Sequence, residues 1–267
     1  MGVDATGAKH MLGIVSGSSE NAKVVKDLLE SPAERGIDLN VARLWVIDGS
    51  KALRSAIEQR CGDAAHVQRC RVHKMRNVTE RLPKAKAQQT RWVMVQALKG
   101  DANAGITKLK AHDKHLKAQQ PEAAASLLEG LEELFTINRL GVTGELARCL
   151  ATTNIIESPN SQVRRVSGRL TRYRDAQMAM RWTAAGFLEA EKAFRRLRGH
   201  EHIAALIQAL RPASTQPKKA AQSFRHRLKP STDFGTSSDS VIRIPTLATV
   251  KLIRLPPRII SRAAGFV

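Results

Sequence analysis

The sequence predicts an α/β core that is interrupted by a helical block and followed by a basic tail of no regular period. Three observations carry this. Between Gly2 and Cys70, short apolar runs alternate with segments of helical spacing. From His73 to about Glu133 the strand signals vanish and only helical periodicity remains. At Pro212 the composition turns to Ser, Thr, Pro and Lys without sustained period.

The elements follow in order. GVDATGAKHMLGIVSG reads as the end of one strand, a turn at Ala5-Thr6-Gly7 and a second strand from about His10 to Val15. Gly17, Ser18 and Ser19 break the pattern, and Ser18 or Ser19 caps a helix through NAKVVKDLLE, whose Val24, Val25, Leu28 and Leu29 share a face. Leu44, Trp45, Val46 and Ile47 form a continuous apolar run, as expected of a strand buried on both faces. Asp48-Gly49 ends it, KALRSAIEQRC is helical, and AAHVQRC is a second short strand. RWVMVQALKG, NAGITKLKAHDKHLKAQ and PEAAASLLEGLEELF are helical, punctuated by Gly100 and Pro121. Asp175 caps a long helix in which Phe187, Ala190, Phe194 and Leu197 keep helical spacing as far as Gly199. The expected organisation is a core in two parts, 1–82 and 139–211, a helical insertion, 83–138, and a disordered basic tail, 212–267.

Composition narrows the function. Lys and Arg number 44 against 24 Asp and Glu, a net charge of +20 over 267 residues. Such an excess points to a polyanionic partner, most simply nucleic acid; an anionic membrane surface or a ribosomal-type structural role are the blander readings. No apolar run approaches the roughly 18 residues of a membrane span, and MGVDATGAKH has no signal core. Cys61, Cys70 and Cys149 are an odd, scattered set, which suits a reducing compartment. The expectation is a soluble cytoplasmic protein with no membrane partner.

Several residues invite chemistry. Asp48 closes a buried strand, where open α/β sheets place their ligands; it reads as a metal-binding carboxylate or, more simply, as a cap for the helix beginning near Ser50. Glu157 is a lone carboxylate among Arg148, Arg164, Arg165, Arg169, Arg172 and Arg174. If its segment is helical throughout, Asn154, Glu157, Ser161 and Arg164 share one face, which suits a metal beside a polyanion; equally, Glu157 could be a surface acid relieving repulsion. Cys70 and His73 are two soft ligands close together, and Cys61 and His66 lie at irregular spacing from them, so a closed zinc site is not expected. Lys74, Arg76, Arg81, Lys84 and Lys86 suit either a solvated helix face or phosphate contacts.

LWVIDGSKALRSAI, QRCRVHKMRN, TTNIIESPNSQVRR and MRWTAAGFLEAEKAFRRLRG, in that order and spacing, resemble the mutator-type transposases of bacterial insertion sequences. The likeness runs from about Gly2 to Leu210. It implies an RNase H-like core with a helical insertion and an Asp-Asp-Glu (DDE) triad working with Mg2+ or Mn2+, without zinc. It also implies cleavage and joining of double-stranded DNA at element ends and target, in a homo-oligomer associated with the nucleoid. Asp48 matches the family's second Asp and Glu157 its Glu. Cys70 and His73 match its Cys-x-x-His signature, Asn154 its Thr-Asn signature, and Arg164 and Arg165 the arginines after the Glu; Arg169, Arg172 and Arg174 extend that DNA-binding series. The family's first strand and first Asp have no counterpart, so the core is expected to be incomplete, with an exposed sheet edge beside GVDATG, and the chain inactive in cleavage. Asp4 matches a turn position and not the catalytic one. Ile155 replaces a family Pro, and Ser158-Pro159 suggests a helix that starts there. The rival expectation is a non-enzymatic basic protein that coats or bridges DNA.

Overall fold

The structure is a computed structural model that describes residues 1–15, 22–168, 170, 173–211 and 247–249. Five strands form one sheet: β1 (Gly2–Val3), β2 (Lys9–His10), β3 (Arg43–Ile47), β4 (Ala65–Arg69) and β5 (Leu247–Thr249). Their spatial order is β2-β1-β5-β3-β4. β3 is parallel to both β4 and β5, whereas β1 is antiparallel to both β2 and β5.

β3 holds the sheet to both of its layers. Leu44 and Val46 enter a cluster with Met1, Val3, Leu150 and Ile156. Trp45 and Ile47 point the other way, into a cluster with Val25, Leu29, Leu53 and Ile57. That alternation is the period of two of a strand covered on both faces. The second cluster comes from α1 (Ala22–Glu34) and α2 (Lys51–Cys61). The α2 N-terminus is capped by Ser50, whose side chain accepts from the Leu53 N–H at 3.2 Å.

After β4 the chain becomes helical: α3 (Arg71–Thr79), α4 (Lys84–Leu98), α5 (Ala102–Lys117), α6 (Pro121–Leu128) and α7 (Thr136–Arg139). These build their own core around Met94, Leu109, Leu127 and Phe135. Arg71 braces this block and ties it to the returning chain: its guanidinium donates to the Leu134 carbonyl at 3.0 and 3.1 Å, and its backbone N–H donates to the Ala151 carbonyl at 2.8 Å. The chain then returns through α8 (Gly144–Leu150), α9 (Asn154–Ser167), α10 (Ala176–Glu191) and α11 (Ile203–Leu210). Asp175 caps α10 by accepting from the Met178 N–H at 2.6 Å.

Four sequence expectations meet a different structure. The second strand is confined to Lys9–His10, and residues 11–15 form none. The long helix stops at Glu191 and not at Gly199. Phe194 and Leu197 do keep helical spacing, but the Leu197 N–H donates to the Gly7 carbonyl at 2.8 Å and its side chain is buried in the sheet's core. Tertiary packing overrides the local period there. The helix expected to begin near Ser158 begins at Asn154, with Pro159 inside it. Lastly, the tail supplies a strand. β5 lies between β1 and β3, so β1 is paired on both sides and the edge expected to be exposed is covered. The remainder of 212–267, like the Ser18 or Ser19 cap, lies outside the described residues.

Asp4 has a structural task. Its Oδ1 accepts from the Thr6 N–H at 2.8 Å, the Thr6 hydroxyl at 2.6 Å and the Ala8 N–H at 3.0 Å, while Oδ2 pairs with His10 at 2.8 Å. Partial burial pushes its carboxyl up, but these bonds outweigh that and hold it at about 2 against an ordinary 3.8. A depressed carboxyl stabilises the fold above its unfolded pKa. The Asp4 contribution is therefore complete above about pH 4 and disappears as pH falls through about 2. Asp4→Ala is expected to cost about 1–2 kcal/mol at pH 7 and clearly less at pH 2, where about half of the Asp4 carboxyls are protonated, as urea melts at the two pH values would show.

Candidate carboxylate site at the sheet end

The site lies where β3 and β4 end. Ile47 and Arg69 are register partners, so Asp48 and Cys70 leave the sheet side by side. The Cys70 N–H donates to the Ile47 carbonyl at 2.7 Å, which ties the two strand ends together. The Asp48 Oδ1 accepts from the Ser50 N–H at 3.3 Å, so Asp48 shapes the turn while Ser50 caps α2. Gly49 completes that turn at φ 105°, a conformation natural only to glycine. A Cβ there would also lie 2.6 Å from the Arg69 guanidinium. Arg69 is nearly buried and donates to the Glu129 carbonyl and carboxylate, each at 3.2 Å. Lys74, fully buried, donates to the same carbonyl. Burial, reinforced by Arg69, lowers the Lys74 ammonium to about 8.

Glu157 arrives from α9. The apolar face of that helix, Ile155, Ile156, Pro159 and Val163, is buried, and this burial fixes its rotation. At Gly186 of α10 the helices come so close that an added Cβ would meet Val163 at 3.1 Å. Thr153, fully buried, accepts from the N–H groups of Ile156 and Glu157 at 3.0 and 3.1 Å. Its hydroxyl donates to Glu157 Oε1 at 2.6 Å. The Thr153 carbonyl thus accepts the first bonds of the helix, which starts five residues ahead of Pro159, and the Thr153 hydroxyl holds the Glu157 carboxylate in place.

Cys70 and His73 connect Glu157 to the strand ends. His73 Nδ1 is 3.1 Å from Cys70 Sγ, and His73 Nε2 is 3.7 Å from Glu157 Oε1. The Thr153 N–H donates to Cys70 Sγ at 3.4 Å. Burial pushes the Cys70 thiol up, yet the bonds from His73 and Thr153 outweigh it and bring it down to about 7. Cys61 and His66 do not join this group. His66 lies four residues before Cys70 along an extended strand, roughly 13 Å away at a strand's rise, and Cys61 packs with the α1–α2 cluster.

α9 is helical throughout, so Asn154, Glu157, Ser161 and Arg164 do share a face. Arg164 and Arg165 are exposed in its last turn. Arg174 is exposed and lies 3.6 Å from the Asp175 carboxylate. Arg169 and Arg172 lie outside the described residues. Sequence reasoning missed Thr153 and Arg69. Thr153 stood in plain view as the residue four before the Glu, one helical turn away on the same face; nothing in the local sequence signals Arg69.

The family model described as "Transposase, Mutator family" matches residues 1–196. The chain belongs to the Mutator family of transposases. Curated relatives agree. The transposase for insertion sequence element IS256 in transposon Tn4001, from Staphylococcus aureus, is 30% identical over 172 residues, covering 62% of this chain and 42% of the relative. The transposase for IS6120 from Mycolicibacterium smegmatis is 28% identical over 211 residues, 78% of this chain and 63% of the relative. The transposase for IST2 from Acidithiobacillus ferrooxidans is 26% identical over 197 residues, 73% and 64%. This Mutator-family chain thus spans between two fifths and two thirds of the length of these relatives. No helix among the described residues is long and apolar enough to cross a membrane.

Proposed function

We propose that this Mutator-family chain acts on DNA as part of an insertion-sequence transposition reaction, with Asp48 and Glu157 as two carboxylates of a DDE-type site on an RNase H-like sheet. The observation that supports it most is the Cys70–His73–Thr153 bridge, which draws Glu157 to the strand ends where Asp48 leaves β3. Two carboxylates are hard oxygen donors, the type that Mg2+ or Mn2+ prefers. When bound, such ions activate the attacking oxygen and stabilise the leaving one at phosphorus. The donors fit in type but not in number: among the described residues, no three His, Cys, Asp or Glu side chains stand close enough to hold a metal. A two-ion centre needs a carboxylate shared between its metals, so the described residues on their own would hold a cation and DNA without turning over. Arg164 and Arg165, exposed beyond Glu157 on the same helix, supply the positive charge for the phosphates on either side.

The test is a magnesium-dependent strand-nicking and strand-transfer assay on the purified chain with supercoiled DNA. No nicking above that of an Asp48→Ala control is expected. Nicking that the control loses would show a complete site and overturn the two-carboxylate reading.

A further inference from the structure

A second basic feature lies on a neighbouring face of α9. A cleft of about 610 Å³ opens between α8, α9 and the non-helical segment 192–199. Its cationic lining is Lys9, Arg148, Arg195, Arg196 and Arg198, against one acid, Glu145, which Arg148 already pairs. Lys9, Arg195, Arg196 and Arg198 form no ion pair with any described residue. The floor is α9, which contributes Asn154, Ser158 and Gln162, spaced one helical turn apart. Phe194, half-buried, adds the one aromatic ring of the lining.

The end of α10 makes this cleft. Had the helix continued to Gly199, Arg195, Arg196 and Arg198 would have pointed in three directions, about 100° apart per residue. In the observed segment Leu197 is drawn inward by its buried side chain and its bond to Gly7, and the three arginines stay exposed along the cleft.

We propose that this cleft binds single-stranded DNA, its arginines on the phosphates, Phe194 against a base, and the α9 amides on base edges. The proposal rests on the reading of the chain as DNA-acting and adds a site to it. The cleft sits between packed helices, and its volume of about 610 Å³ is too small to seat a duplex, which favours one strand. A basic groove that tracks the backbone beside an aromatic platform is the composition that single strands select. The cleft and Glu157 lie on neighbouring faces of one helix, within its diameter of about 10–12 Å. A strand seated there is an unpaired end running alongside the carboxylates.

The test measures binding of a fluorescent eight-nucleotide oligothymidine and of a duplex, across a salt series. The variants are Arg195→Ala/Arg196→Ala/Arg198→Ala, its Lys counterpart, Phe194→Leu and Arg164→Ala/Arg165→Ala. The Ala triple variant is expected to weaken the oligothymidine at least tenfold, with the log–log salt slope shallower by about 2, since each lost phosphate contact on a single strand removes about 0.7. Duplex binding should fall less, the Lys triple should keep the slope, and Phe194→Leu should weaken the single strand about tenfold. Arg164→Ala/Arg165→Ala should do the reverse and lower duplex binding most. An Ala triple that folds as the parent does, by circular dichroism and melting, and leaves oligothymidine binding unchanged overturns the cleft while the DNA-acting reading stands. Equal losses on duplex and single strand overturn it too, as a mere effect of net charge. A parent chain that binds neither DNA overturns both readings.

Discussion

Removal of residues 212–267 is expected to abolish the cooperative unfolding of this chain or to drive it into self-association. β5 is only three residues long, yet it pairs with β1 through Gly2–Ala248 and Val3–Leu247 and with β3 through Leu44–Leu247, Trp45–Ala248 and Val46–Thr249. Without it, two facing backbone edges lose their partners in the middle of a sheet, where unpaired groups are costly. The two-residue strands β1 and β2 would then have no sheet neighbour but each other, and an isolated hairpin is marginal at best. Ala248→Pro keeps the length and charge of the tail but breaks the ladder, since proline has no place in a central strand. Its cost should exceed the roughly 1 kcal/mol of an average substitution. Urea melts and sedimentation read both variants: a truncated chain that stays monomeric with unchanged midpoint and slope would show that β5 contributes nothing to the sheet.

Asp48→Asn and Glu157→Gln are each expected to weaken a common Mn2+ site, so that more of the free-ion paramagnetic resonance signal, which binding removes, persists on titration. With two carboxylates the parent should bind weakly, with Kd on the order of 10⁻⁴–10⁻³ M, the range of sparsely charged sites. Each variant should weaken binding at least tenfold, and the double variant should leave no Mn2+ bound there, because the two side chains serve one ion. Thr153→Val tests the support behind Glu157: loss of a hydroxyl bonded at 2.6 Å should weaken the ion by about tenfold, the lower end for groups that orient a ligand. Mn2+ retained in both single variants would separate Asp48 from Glu157 and leave a basic DNA-coating protein as the better reading.

The elements whose signals are local were legible in the sequence. Leu44–Ile47 announced a strand covered on both sides, because four consecutive apolar side chains must point alternately into two cores, and they do. Asp175 announced a helix start and KALRSAIEQRC a helix, because capping and periodicity act within a few residues. The order of motifs around Asp48, Cys70, His73 and Glu157 carried the family, which the match over residues 1–196 bears out.

What depended on distant partners was not legible. The Phe194–Leu197 spacing suited a helix, and only the carbonyl of Gly7 and the core beneath it decided otherwise. Pro159 suggested a helix start; the bonds of the Thr153 carbonyl to Ile156 and Glu157 and the burial of Ile155 and Ile156 moved it to Asn154. The tail from Pro212 onward carried no period, and a strand of three residues needs none, since its hydrogen bonds come from β1 and β3. The sequence by itself determined the chemistry this protein carries: its charge, its carboxylates and its family. The tertiary structure alone decided where that chemistry meets, because backbone pairing and core burial between residues far apart in the chain outweigh the few tenths of a kcal/mol per residue that local preference supplies.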